Sequence, residues 1–594
     1  MPRRLAYSTT RSSSLPLRLP GKSIAVSDEE RRIFEYLVDV VKASNLNSEL
    51  RVAGGWVRDK QEKVDLDIAL NNMMGQEFAR WISRYNKHHN LPTSKIGIVR
   101  INPAKSKHLE TAVVSIFGHS VDLVNLRTES YRPGSRIPTA VGLGSPKQDS
   151  SRRDFTINAL YYNIREDRIE DYTGHGLADL EAGLLRTPDE PLATLLDDPL
   201  RVLRGVRFKA MLAFRFVPEL AEAMQRPEVH EALRAKVSRQ RVGLELNKML
   251  RLDTEKALDA LEQIAALDLH DVIFPLPPYL PSSAGQDVDV VGSSPQGQPP
   301  QRRPLQDATG EEVIVGSWSP DLKQTALRCL REHFRLVNEA PKGTELVQAL
   351  PSVSGGMPVG NGLALASAFL MPALLNNIGA SDSSMAHATG AGDVDDVEPN
   401  GGRGEDELSY LENNRIRGHT EAVFKLGLAL SSEQASCVAG VLIATKRLLP
   451  LIEKLAAEVE SGSESLPRVL HNNRVELGNW MRSIEQTTGG HAWETAARLA
   501  FVARTHLLGL PPSPGIDDGN AFVQAMKDSG LVSLSGIPPL LSGREIMEIL
   551  QVKPSPFVGE VKAKLISWQL ANLDQSTKDA AIAYVKTLKP SSSS

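Results

Sequence analysis

The chain has 594 residues, 41% of them hydrophobic and 24% charged, with a net charge of −4. That length exceeds one core of about 100–200 residues and implies about three or four packed units. No apolar run approaches the roughly 20 residues of a bilayer crossing, so a membrane partner is not expected. The missing basic excess excludes a globally cationic nucleic-acid binder and leaves only local patches and shape for such a partner. Cys329 and Cys437 lie far apart without CxxC spacing, which argues against a disulfide framework and a zinc site.

Residues 1–25 carry Arg3, Arg4, Arg11, Arg18 and Lys22, several serines and no acid before Asp28. This is the composition of a mitochondrial transit peptide; a solvated basic tail is the alternative, because Pro16 and Pro20 interrupt the amphipathic helix. From Asp28, EERRIFEYLVDVVKAS has apolar residues at helical spacing, and LRVAGGWVRD with VDLDIAL reads as strand, glycine turn, helix start and strand. Further strands are expected at SKIGIVRIN, TAVVSIFG, HSVDLVNLR and NALYYNI, making a mixed sheet of about five strands. REDRIEDYTGHGLADLEAG reads as a turn leading into a short helix.

After Thr187 the strand signals stop and apolar residues recur at three- and four-residue spacing. The fold class expected is α+β: a sheet-bearing head over residues 26–186, then helices throughout. The helical part divides into a neck over 187–275, a body over 311–460 and a tail over 461–590. Residues 276–310 and 378–407 are rich in Pro, Gly, Ser and Asp and are expected to be low-complexity, disordered insertions.

The chemistry concentrates in the first half. Asp65 and Asp67 are two apart on an expected strand, so alternation sends both to one face where they can hold a metal together. Gly54 and Gly55 allow close backbone approach to a triphosphate, and Arg58 can neutralise its charge. An open carboxylate pair suits magnesium shared with substrate phosphates. Two-ion chemistry calls for a third carboxylate, for which Asp122 in HSVDLVNLR is the candidate. In DDPLRVLR, Asp197 reads as the cap of a helix with Pro199 in its first turn.

Taken in order, GWVRDK, DLDIAL, RRDFTINAL, DYTGHGLADL and DDPLRVLR resemble the class II tRNA nucleotidyltransferases of the polymerase-β-like superfamily, in their fungal and plant branch. The resemblance covers roughly residues 28–275 and implies a five-stranded head followed by helical neck, body and tail. It implies CCA addition to the tRNA 3′ end from CTP and ATP, with two Mg²⁺ ions and no obligate protein partner. Arg152, Arg153 and Asp154 resemble the sugar-binding motif, and Asn158 of the same segment is expected to bind nucleotide. Asp197, Asp198 and Arg201 resemble the protein template, in which Asp198 accepts from an exocyclic amine and Arg201 donates to the ring, with Arg204 of the same segment expected to bind nucleotide. Asp171, Gly174, Gly176 and Asp179 resemble a springy element, here interrupted by His175, and Ser106–Thr111 falls where the branch has a mobile loop. Arg241 and Glu245 resemble a neck motif propping the template, and Lys553, Lys562 and Lys564 in the tail are expected to meet tRNA phosphates. The resemblance also implies mitochondrial, cytoplasmic and nuclear locations. The alternatives left open are a CC-adding or A-adding enzyme of a split pair, a poly(A) polymerase, and an inactive RNA-binding scaffold.

Overall fold

The computed structural model describes residues 24–59, 66–92, 96–99, 111–131, 138–274, 318–339, 366–372, 432–461, 465–488, 492–510 and 518–588, with 374, 417 and 420 besides. The insertions 276–310 and 378–407 and almost all of the N-terminal segment 1–25 lie outside them. Two compact units result, residues 1–238 and 239–594, and the division falls inside the segment expected as the neck.

The first unit opens with helix α1 (Asp28–Ala43), started by a capping box between Ser27 and Glu30. Ile33, Phe34, Leu37 and Val40 form its buried stripe. Strands β1 (Leu50–Ala53), β2 (Leu66–Leu70), β3 (Ile96–Val99), β4 (Thr111–Ile116), β5 (His119–Asn125), β8 (Leu160–Asn163) and β9 (Arg168–Asp171) form one sheet in the order β3-β4-β5-β2-β1-β8-β9. Seven strands stand where about five were expected. The clearest addition is β9, whose sequence RIED looks like a turn. It is an edge strand, and its buried Glu170 takes a 2.6 Å hydrogen bond from Arg51 Nε. Among the described strands of this sheet only β2 and β5 pair in parallel, joined by a crossover through helix α3 (Gly75–His88), β3 and β4. A separate hairpin, β6 (Arg127–Tyr131) with β7 (Pro138–Leu143), follows β5.

Helices α4 (Pro146–Ser151), α5 (Gly176–Ala182), α6 (Pro191–Asp197) and α7 (Arg201–Leu212) complete the part that bears the site. Strands β10 (Leu184–Leu185) and β11 (Arg215–Phe216) bracket α6 and α7 with a short parallel ladder beyond the last expected strand. Helices α8 (Pro218–Met224) and α9 (Pro227–Lys236) close this unit.

The second unit is helical throughout its described residues, beginning with α10 (Arg239–Leu250). Within Ala435–Glu460, 26 residues long, an 18-residue window has a mean hydropathy of 1.6, which by length and composition alone would let it cross a bilayer. Lys446 and Arg447 interrupt it, so it holds no unbroken apolar run of the length a bilayer crossing needs. That window is 67% buried within the chain, which makes it a core helix. Near the C-terminus Leu541, Ile546, Val561, Leu565, Ala581 and Val585 form a small separate core.

Candidate active site

The register of β2 on β5 places Asp67 directly opposite Asp122. Alternation does the rest: Leu66 and Ile68 are buried on one face, while Asp67 is exposed and Asp122 half-buried on the other. Two carboxylates on adjacent strands, one exposed and one half-buried, are the type of donor that a divalent cation shared with phosphates takes. Asp65 lies just outside the described residues, and among those residues no group of three or more His, Cys, Asp or Glu side chains could hold a metal ion.

At the end of β1 the chain turns through Gly54, whose φ of +69° is costly for any side chain. A Cβ there would also lie 3.1 Å from Arg153 Nη1. Gly55 starts the short helix α2 (Gly55–Asp59), which carries Arg58 inward. Arg58 is buried, donates from Nε to Asp59 at 2.5 Å and from Nη1 to Asn158, and lies 4.8 Å over the Phe208 ring of α7. The glycine turn, Asn158 and α7 are therefore packed together around one guanidinium.

The Arg152–Arg153–Asp154 motif turns its charges onto the protein itself. Both arginines bond Asp149, the buried acid one turn earlier: Arg152 Nε at 2.8 Å on Oδ1, and Arg153 Nη2 at 3.0 Å and Nε at 3.2 Å on Oδ2. The Tyr161 hydroxyl donates to the same carboxylate, as does the backbone N–H of Arg127 at 3.2 Å. Burial alone would raise this carboxyl, but the charges of Arg153 and Arg152 and the Tyr161 hydroxyl hold it down at about 2. Burial pushes the Tyr161 hydroxyl up to about 12, so it stays a donor. Asp149 and Tyr161 are absent from the sequence-based site. The signal available was an acid at i−3 and i−4 from two arginines in a segment with a Ser145–Gln148 capping box.

Asp154, 9% exposed, accepts from Asn158 Nδ2 at 2.9 Å, from the Phe155 N–H at 2.9 Å and from Arg204 Nε at 2.7 Å. Its burial is opposed and outweighed by the Arg204 charge and these bonds, which hold the carboxyl below the usual range.

The helix read at DDPLR starts at Arg201 and not behind an Asp197 cap: Asp197 ends α6 and the residue before α7 is Leu200, without a side-chain cap. Asp198 Oδ1 instead accepts from the Leu200 N–H at 3.3 Å, an Asx turn between the two helices. Arg201 is 8% exposed and donates to the carbonyl of Thr194 at 2.9 Å and to that of Arg152. Those donors, expected to read a base, are engaged by backbone here. The DYTGHG turn is likewise tied at its start, where Asp171 accepts from Thr173 Oγ1 at 2.7 Å and from the N–H groups of Thr173, Gly174 and Leu177. Gly176 opens α5, and Asp179 accepts from Thr156 Oγ1 at 2.7 Å.

In the second unit Arg241 and Glu245 both lie on α10; Glu245 is buried and takes a 2.9 Å bond from Lys248. Lys553 precedes the helix Pro556–Ala571 and Lys562 and Lys564 lie on it, all three exposed. The segment with Ser106, Lys107 and His108 lies outside the described residues.

The family model described as "Poly A polymerase head domain" matches residues 50–186. The chain is 31% identical to the mitochondrial CCA tRNA nucleotidyltransferase of Saccharomyces cerevisiae over 98% of this chain and 97% of that one. It is 29% identical to the mitochondrial CCA tRNA nucleotidyltransferase of Candida glabrata, over 96% and 97%. Among solved structures, a CCA-adding enzyme in its apo form II matches with a TM-score of 0.52 at 16% identity, covering 94% of this chain and 95% of that one, a likeness of fold. The chain belongs to the CCA tRNA nucleotidyltransferase family.

Proposed function

We propose that the chain adds C, C and A to the 3′ end of tRNA from CTP and ATP, releasing pyrophosphate at each step. The observation that carries this reading is the in-register pair Asp67 and Asp122, open on one sheet face in the same sheet whose β1 runs into the Gly54 turn. Full-length similarity to CCA tRNA nucleotidyltransferases supports it.

In this reading Asp65, Asp67 and Asp122 hold two Mg²⁺ ions, which would activate the primer 3′-hydroxyl and stabilise the leaving pyrophosphate. The Gly54–Gly55 turn admits the triphosphate, and Arg58 balances its charge. Asp154 and Asn158 orient the sugar. Asp197, Asp198, Arg201 and Arg204 select the base, with Arg201 exchanging its backbone carbonyls for base acceptors when a nucleotide enters. Arg241 and Glu245 act as structural residues of the neck motif, and Lys553, Lys562 and Lys564 meet phosphates of the tRNA. Similarity to mitochondrial relatives supports a mitochondrial location directed by residues 1–25, with cytoplasmic and nuclear pools as the finer proposal.

The test is incorporation from each single NTP, and from CTP with ATP, into tRNA transcripts ending at the discriminator base, at C and at CC. Ordered addition of C, C and A that then stops is the expected result. Arrest after CC, or a start only on CC, would instead mean a split pair; an unbounded A ladder, a poly(A) polymerase; and no addition, a scaffold.

A further inference from the structure

Asp149 stands out because, though absent from the sequence-based site, it gathers four donors: Arg152, Arg153, the Tyr161 hydroxyl and the N–H of Arg127. It is 1% exposed. Its two oxygens are divided between neighbours: Oδ1 takes Arg152 and the N–H of Arg127, where the chain leaves β5, and Oδ2 takes Arg153 and Tyr161 of β8. Arg153, so held, lies 5.1 Å over the Tyr161 ring and donates at 3.0 Å to the carbonyl of Asn158. That guanidinium also fills the space a side chain at Gly54 would need. Asn158 in turn donates to Asp154 and accepts from Arg58.

We propose that Asp149 is a positioning residue for ribose recognition: its buried carboxylate sets the two arginines, and through Arg153 and Asn158 it sets Asp154 and the Gly54 turn. This rests on the nucleotidyl-transfer reading above. The alternative is that Asp149 only stabilises the head, as Glu170 does when it takes Arg51 at 2.6 Å and Asn163 at 2.9 Å on the same sheet. The two roles separate in one quantity. Loss of stability reduces the active fraction and scales incorporation of CTP and dCTP alike, whereas loss of positioning changes their ratio.

The experiment measures kcat/KM for CTP and for dCTP on a tRNA transcript ending at the discriminator base, with the full chain and its Asp149→Asn, Tyr161→Phe and Glu170→Gln variants. Asp149→Asn keeps the shape but removes the charge on which both arginines converge, and the CTP-over-dCTP preference is expected to fall about tenfold. KM for CTP rises while KM for tRNA stays within about twofold. Tyr161→Phe removes one donor and keeps the carboxylate and both arginines, so the preference falls about threefold. Glu170→Gln lowers the thermal midpoint and leaves the preference unchanged. If Asp149→Asn does not fold, Tyr161→Phe decides by the same ratio. An unmoved ratio in the folded variants overturns the inference while wild-type incorporation leaves the enzyme reading standing. A wild-type chain that incorporates neither nucleotide overturns both.

Discussion

Replacing Arg204 by Ala tests whether the Arg152–Asn158 segment and α7 are one unit. Arg204 reaches from α7 to Asp154 at 2.6 and 2.7 Å, and nothing else in the described contacts brings a formal charge to that carboxylate at bonding distance. Removing one member of a buried ion pair costs about 3–5 kcal/mol when the survivor is left uncompensated. Here Asp154 keeps Asn158 and the Phe155 N–H, and Arg204 is 33% exposed, so screening reduces the figure to about 2 kcal/mol. For a unit of this size that lowers the transition containing residues 1–238 by about 4–8 °C in calorimetry.

The pH dependence carries a sign. Asp154 is held below its ordinary range in the wild type, so its contribution is present above the unfolded carboxyl value and is lost as pH falls through the folded one. In Arg204→Ala burial dominates and the carboxyl titrates higher, so the variant is penalised at neutral pH and relieved in acid. The gap between the two proteins should therefore be widest near pH 7 and narrow as pH falls below the variant's titration. KM for CTP and ATP should rise together, because Asp154 loses its tether whichever base is bound. A midpoint within 1 °C of wild type at pH 7.5, with unchanged KM values, would refute the coupling.

Asp67→Ala should lower nucleotide incorporation by roughly a thousandfold while leaving tRNA affinity, read by filter binding, nearly unchanged, because the lost carboxylate acts on the reaction and not on RNA contacts. Gly54→Ala puts a side chain at φ +69° and crowds Arg153, so about 1–2 kcal/mol of strain should appear as a lower first-unit midpoint and about tenfold lower kcat/KM for both nucleotides. In the second unit His270 is 1% exposed between Trp318 at 5.1 Å and Phe369 at 5.4 Å, and burial with the Lys323 charge brings its imidazole down to about 4. Folding then favours the neutral ring, so stability is lost as pH falls from about 6.5 to about 4, by about 3 kcal/mol at the acid end. His270→Phe should flatten that loss in pH-dependent calorimetry, and an unchanged acid slope would remove His270 from the account.

What could be read in the sequence is what short-range rules determine. Helix α1 announces itself through Ser27, Glu30 and an apolar stripe, and the strands through alternation, so the order of elements in the head was legible. Strand β9 was not, because RIED is charged; its burial comes from a partner more than a hundred residues away, the Arg51–Glu170 pair with a separation of 119. The same limit explains the site. Candidate residues can be named one motif at a time, but that Arg152 and Arg153 face Asp149, and that Arg201 spends its donors on the carbonyls of Thr194 and Arg152, are facts of packing.

The acid pair shows how long-range geometry makes a site out of two ordinary strands. Asp122 is a candidate from its strand-like segment alone, and only the parallel register of β5 on β2 sets it opposite Asp67. A parallel neighbour requires the chain to return to the same end of the sheet, which α3, β3 and β4 accomplish. The return closes tightly: at Gly75, the first residue of α3, a Cβ would sit 2.0 Å from the carbonyl oxygen of Leu123, the residue after Asp122. Glycine at that point lets the helix start press against the backbone of β5, so the position of the second carboxylate depends on a residue remote from any motif. A pattern that lists acids finds both carboxylates, and the fold decides that they meet.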